Sequence, residues 1–81
     1  DKKAFYIITK KRKKICDFII NDLGHTVTVF SATGGFSRKK VSVLFTVVPT
    51  REYYKVRDGI KSIDSETFFT VVDAYEVTGG E

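Results

Sequence analysis

The sequence predicts an α+β domain in which a four-stranded antiparallel sheet carries both of its helices on one face. Three observations lead there. The 81 residues leave room for one hydrophobic core, so residues 1–81 form a single domain. Along that length the apolar spacing changes between strand-like and helix-like in the order β-α-β-β-α-β. Two β-α-β halves joined by a hairpin close as the split βαβ arrangement, the ferredoxin-like fold.

Ala4–Thr9 (AFYIIT) is short, rich in aromatic and β-branched residues and apolar on both parities, which suits a central strand. Residues 10–23 read as the first helix. Ile15, Phe18, Ile19 and Leu23 recur at three- and four-residue spacing, Thr9 stands ready to cap, and Gly24 supplies the stop. His25–Thr33 (HTVTVFSAT) alternates as a half-exposed edge strand opened by His25. A polar connection, Gly34-Gly35-Phe36-Ser37-Arg38-Lys39-Lys40, is too long for a two-residue turn and leads into Val41–Val48 (VSVLFTVV), the other central strand. Pro49 ends that strand and Thr50 opens a second helix to about Ser62, with Tyr53, Val56, Ile60 and Ile63 on one face. Asp64-Ser65-Glu66 is turn chemistry, and Thr67–Val77 (TFFTVVDAYEV) is the fourth strand. With two helices covering one side, the other side of the sheet stays bare. Leu44, Val48, Phe69 and Val71 are expected to make it apolar and to support a homo-oligomer.

Composition excludes several classes. Apolar residues at 42 % and aromatics at 14 % rule out wholesale disorder, and no run approaches the roughly 18 apolar residues of a membrane span. Cys16 is the single cysteine, so no internal disulfide forms, and its apolar neighbours read as an inert thiol although five cations precede it. His25 has neither a cysteine nor a second histidine to share a zinc ion. No nucleophile–base set and no paired carboxylates stand out, so the reading is a non-enzyme with no cofactor and no metal.

Charge is unevenly spread. The formal net charge of +4 divides into +6 over residues 1–14, seven Lys/Arg against Asp1, and −2 over residues 15–81, seven against nine acids. The run Lys10-Lys11-Arg12-Lys13-Lys14 falls where a helix begins, and cations there oppose the helix dipole. Either the run is a solvated face, or it meets anionic headgroups or another anionic partner. Nucleic acid ranks last, because no aromatic-rich basic motif accompanies it.

Two glycine-bearing segments are candidate binding sites. Gly34 and Gly35 allow positive φ and a backbone concavity suited to an anion, although a glycine pair in a hairpin is also ordinary turn geometry. Phe36 beside them must pack back, stack on a ligand or enter a neighbouring subunit, with packing back the plainest reading. Glu76-Val77-Thr78-Gly79-Gly80 either forms a second glycine loop or merely ends the fourth strand.

The ordered succession Thr33-Gly34-Gly35-Phe36, Arg51-Glu52-Tyr53-Tyr54, Ile63-Asp64-Ser65-Glu66-Thr67-Phe68 and Glu76-Val77-Thr78-Gly79-Gly80 resembles the DUF2179 domain, the C-terminal part of the bacterial YitT-type membrane proteins. The match spans nearly the whole chain, with Thr67 standing where alanine is more usual. The resemblance implies a multi-span membrane portion ahead of Asp1, with this domain excised from the longer protein and lying on the cytoplasmic face of the membrane. The basic run would then follow the positive-inside tendency. The fold also resembles that of the PII-like regulators, trimers that bind small anionic effectors between subunits. By that likeness Thr33, Gly34, Gly35 and Phe36, with Glu76, Gly79 and Gly80, would line an inter-subunit site in a regulatory or ligand-sensing domain. The competing expectation is a structural oligomerisation or partner-docking domain without a small ligand.

Overall fold

The computed structural model describes residues 1–75 and 77–79. Strands β1 (Lys2–Thr9), β2 (Thr28–Thr33), β3 (Lys40–Pro49) and β4 (Phe68–Ala74) form one sheet in the order β2-β3-β1-β4, antiparallel throughout. Helices α1 (Arg12–Asp17) and α2 (Tyr53–Ile63) complete the expected ferredoxin-like order, with β1 and β3 central.

The core lies between helices and sheet. Phe5 and Ile7 of β1, Leu44 and Val48 of β3, Ile15 and Ile19 from the first helical segment, and Val56 and Ile60 of α2 are all fully buried. Pairing fixes which residues share that side: Phe5 stands beside Thr46 and Val71, and Ile7 beside Leu44 and Phe69. Leu44, Val48, Phe69 and Val71 therefore belong under the helices, not on the bare side. A one-residue change of parity moves a whole strand's side chains between faces, and β3 is apolar on both.

The bare side is apolar through other residues. One row across the strands reads Phe30, Val43, Ile8 and Phe68, and the next holds Phe45 and Tyr6. Tyr6 and Phe45 rings pack at 5.0 Å, and Phe30 meets Phe45 edge-on at 6.5 Å. Phe30 keeps 48 % of its surface exposed, Phe68 63 % and Val72 46 %.

Element boundaries differ from the expected ones for local reasons. Thr9 accepts a hydrogen bond from the Lys11 N–H at 2.8 Å, which shapes the turn, and α1 starts only at Arg12. The helix then widens into a π-turn over Phe18–Asp22, with Leu23 N–H bonded to Phe18 O at 3.1 Å, and ends at Gly24 with φ +74. That turn places the Phe18 ring directly over Gly59 of α2.

His25 does not open a strand. Its N–H bonds to Ile19 O at 3.0 Å and its ring to Glu52, while Thr26 O accepts the buried Thr46 hydroxyl at 2.7 Å. Residues 25–27 are thus tied to the helices and to the Thr46 side chain of β3, and the β2–β3 ladder begins only at Thr28. Thr50–Glu52 form a 3₁₀ turn rather than the first turn of α2, and Thr50 offers no side-chain cap. Strand β4 stops at Ala74 because its partner Lys2 is the first residue of β1.

Candidate functional site

Antiparallel pairing of β1 with β3 brings Thr9 opposite Ser42, so the chain leaving β1 as the basic run emerges beside the chain entering β3 from the hairpin. An open groove of about 1150 Å³ lies there, lined by residues 10–14, by Lys39 and Lys40, and by hydroxyls including Thr9 and Ser42. Seven cations face two carboxylates, Asp64 and Glu66, within this lining. The basic run Lys10, Lys11, Arg12, Lys13 and Lys14 and the hairpin were separate features of the sequence; the sheet joins them at one end.

The groove floor is held by a polar junction. Asp64 Oδ1 accepts the Glu66 N–H at 3.1 Å, Asp64 Oδ2 lies 3.5 Å from the donating Thr9 hydroxyl, and Lys11 Nζ donates to Ile63 O at 3.3 Å. The Thr67 side chain close by, then the Glu66 N–H, hold the Asp64 carboxyl below its ordinary pKa, with Lys11 adding attraction. Lys13 pairs with Asp17 at 3.1 Å on the exposed helix surface.

The hairpin itself closes differently from the expected glycine cradle. Gly34 N–H donates to Lys39 O at 2.8 Å, Arg38 N–H to Gly34 O at 2.9 Å, and Lys39 N–H to Ser37 Oγ at 3.2 Å. Three of the loop's donors thus serve the loop. Neither Gly34 nor Gly35 takes positive φ; Arg38 does, at 61°. Gly34 instead lies close under Ser37, where a Cβ would sit 2.7 Å from Ser37 Oγ and turn that hydroxyl aside. Nothing crowds Gly35. Phe36 does not pack back, and its side chain is fully exposed at the tip. An anion in the groove would meet lysine and arginine side chains.

The second glycine segment lies elsewhere. Thr33 pairs with Lys40 at the hairpin end, whereas β4 ends beside Lys2 at the opposite end of the sheet. Gly79, at φ +83, follows that far end. Glu76 and Gly80 lie outside the described residues. Within one chain Thr33 and the end of β4 that leads to Gly79 thus stand at opposite ends of the sheet.

Two other groups were less legible in the sequence. His25 Nε2 and Glu52 Oε1 stand 2.7 Å apart, each side chain about four-fifths buried, tying the segment after the first helix to the start of α2. That contact lowers the Glu52 pKa, aided by Lys55 and Arg51. Arg57 stacks its guanidinium over Tyr54, 4.7 Å from the ring centre, and bonds Asp58. Cys16 is half-buried, and loss of hydration raises its thiol pKa against the opposing pull of Arg12. Among the described residues no group of three or more His, Cys, Asp or Glu could hold a metal ion.

Residues 25–79 match the family described as an uncharacterized protein conserved in bacteria, DUF2179. This chain belongs to the DUF2179 family. The UPF0750 membrane protein YvjA of Bacillus subtilis is 34 % identical over 77 residues, which cover 95 % of this chain and 27 % of YvjA, so the chain spans about a quarter of that relative's length. A crystal structure of a DUF2179 protein from Eubacterium ventriosum is 29 % identical, covers 89 % of this chain and 99 % of its own, and superposes with a TM-score of 0.76. CPII from Thiomonas intermedia K12, solved bound to ADP, AMP and acetate, shares the fold at 14 % identity, covering 93 % of this chain and 88 % of its own with a TM-score of 0.62. The DUF2179 fold is thus ferredoxin-like and of the PII-like kind. Among the described residues no helix is long and apolar enough to cross a membrane.

Proposed function

We propose that this DUF2179 chain is a regulatory, ligand-sensing domain on the cytoplasmic face of a bacterial membrane protein, and that its groove takes a small anionic effector. One observation carries the reading: the basic run of residues 10–14 and the pair Lys39–Lys40, distant in sequence, converge on a single groove. Such a concentration of like charge is costly to assemble unless water or an anion offsets it. The membrane context rests on relatives such as YvjA, and the reading is non-enzymatic. The same fold in CPII accommodates ADP and AMP, which supports the idea that this architecture suits phosphorylated ligands.

Sensing also needs a response. Binding must favour one arrangement of the hairpin over another, since equal affinity for both shifts nothing. Gly79 would join the site only from a second copy.

A thermal-shift and calorimetric screen of nucleotides and small anions tests this. A true effector at about a hundred times its Kd adds roughly 2.7 kcal/mol of stability. Lys10→Ala/Lys39→Ala, which removes a cation from each wall, should weaken that ligand at least about tenfold. No stabilising compound, or a hit indifferent to both lysines, would refute the groove as its site.

A second reading, a structural oligomerisation domain without ligand, is favoured by one different observation: the bare sheet side displays Tyr6, Ile8, Phe30, Phe68 and Val72 together. Light scattering at micromolar concentration separates the cases. A homo-oligomer that Phe68→Asp dissolves, in a protein with no ligand, would favour this reading over the first.

A further inference from the structure

Phe36 is an aromatic side chain that the fold spends hydrogen bonds to hold in water. The loop around it is closed by the Gly34–Lys39 and Arg38–Gly34 backbone bonds, with Ser37 bracing Lys39, so the ring sits at the tip of a shaped hairpin and touches no core. The three residues that follow Ser37 are Arg38, Lys39 and Lys40. Beyond the neighbouring end of β1 run the five cations of residues 10–14. An exposed apolar ring bordered by cations is the pattern that suits the boundary of an anionic bilayer, where the ring enters the headgroup–acyl interface and the cations meet phosphates.

We infer that the hairpin tip and the adjoining basic run form a docking surface for an anionic lipid bilayer, with Phe36 as the inserting residue. Charge complementarity selects this occupant. Eight cations crowd one end of the sheet, counting Arg38, against the partly engaged carboxylates Asp64 and Glu66. Each Lys or Arg near such a surface raises partitioning roughly fivefold, and one ring alone binds only marginally, so the pair of signals is needed together. The inference goes beyond effector sensing and does not rest on it: seven of the eight cations also line the groove, and Phe36, outside that lining, is what tells the two apart.

Co-sedimentation of the chain with vesicles tests it. The vesicles are phosphatidylcholine alone, or phosphatidylcholine with about 30 % phosphatidylglycerol, in about 0.1 M NaCl. The wild type should partition at least about tenfold better onto the anionic vesicles. Phe36→Ser should weaken that binding about tenfold at unchanged Tm, and Phe36→Trp should restore it, since Trp favours the interface. Lys10→Ala/Lys14→Ala/Lys39→Ala, three lysines without a side-chain partner among the described residues, should weaken it about a hundredfold. Absence of binding to the anionic vesicles overturns the inference. So does binding that falls with the lysines but ignores Phe36, which would mark plain electrostatic adsorption. The effector screen uses no vesicles, so either reading can fail while the other stands.

Discussion

Gly59 occupies the middle of α2, where alanine would ordinarily strengthen a helix by up to about 1 kcal/mol. The Phe18 ring forbids it here. A Cβ on Gly59 would lie 2.7 Å from Phe18 Cε1 and nearer still to Cζ, against roughly 3.5–4 Å for ordinary carbon contacts. The ring must move outward by an ångström or more, or the helices must separate. Overpacking of this kind costs about 1–3 kcal/mol, and three ring atoms at such short contact put it at about 2–3, so after the propensity gain of about 1 Gly59→Ala should lose about 1 to 2 kcal/mol. For a domain of this size that lowers Tm by roughly 4–16 °C. Circular-dichroism melts at one fixed protein concentration measure it, because any self-association would make Tm concentration-dependent. The decisive arm is the Phe18→Ala background. With the ring gone, Gly59→Ala should change sign and raise Tm by a few degrees, a coupling that a double-mutant cycle isolates. An unchanged or higher Tm for Gly59→Ala in the otherwise wild-type chain would refute the packing argument.

Two further outcomes follow from the polar contacts. Thr46→Val replaces a buried hydroxyl bonded to Thr26 O with a methyl of similar size, and should cost about 1 kcal/mol in urea unfolding; no change would mean that bond contributes nothing net. Glu52 and Asp64 both have folded pKa values below their ordinary 4.5 and 3.8, so the unfolded chain takes up protons first as pH falls. Their stabilisation is present above those values and is lost below about pH 4.5, and Glu52→Gln/Asp64→Asn should flatten the acid limb of a Tm-against-pH curve; an identical limb would sink the assignment.

Strand order was legible because β1 and β3 are the two segments apolar on both parities, and the pattern placed them at the centre of the sheet. The assignment of faces was not. In β3 the polar residues Ser42 and Thr46 share the helix-facing side with Leu44 and Val48, while the bare side carries Val41, Val43, Phe45 and Val47. The covered face is thus the less apolar one by composition, and Thr46 is tolerated there through its bond to Thr26 O. No count of hydrophobic residues finds that bond, because its acceptor is a backbone carbonyl twenty residues away.

The site was half legible in the same sense. The basic run and the glycine hairpin stand out in the sequence, and antiparallel pairing of β1 with β3 is what brings them together. The hairpin's internal bonding could not be read, since glycine permits several loop geometries and this one puts positive φ on Arg38 rather than on either glycine. Nor did the motif Arg51-Glu52-Tyr53 disclose that Glu52 meets His25, a contact across 27 positions.

Strand β2 is an edge, and its six residues, TVFSAT, include no charge and no proline. Such side chains are the usual guards against unwanted strand addition. Its outer row of amide and carbonyl groups is therefore an unguarded selvage, and a second extended segment aligned against it would lengthen the weave without disturbing a single core contact.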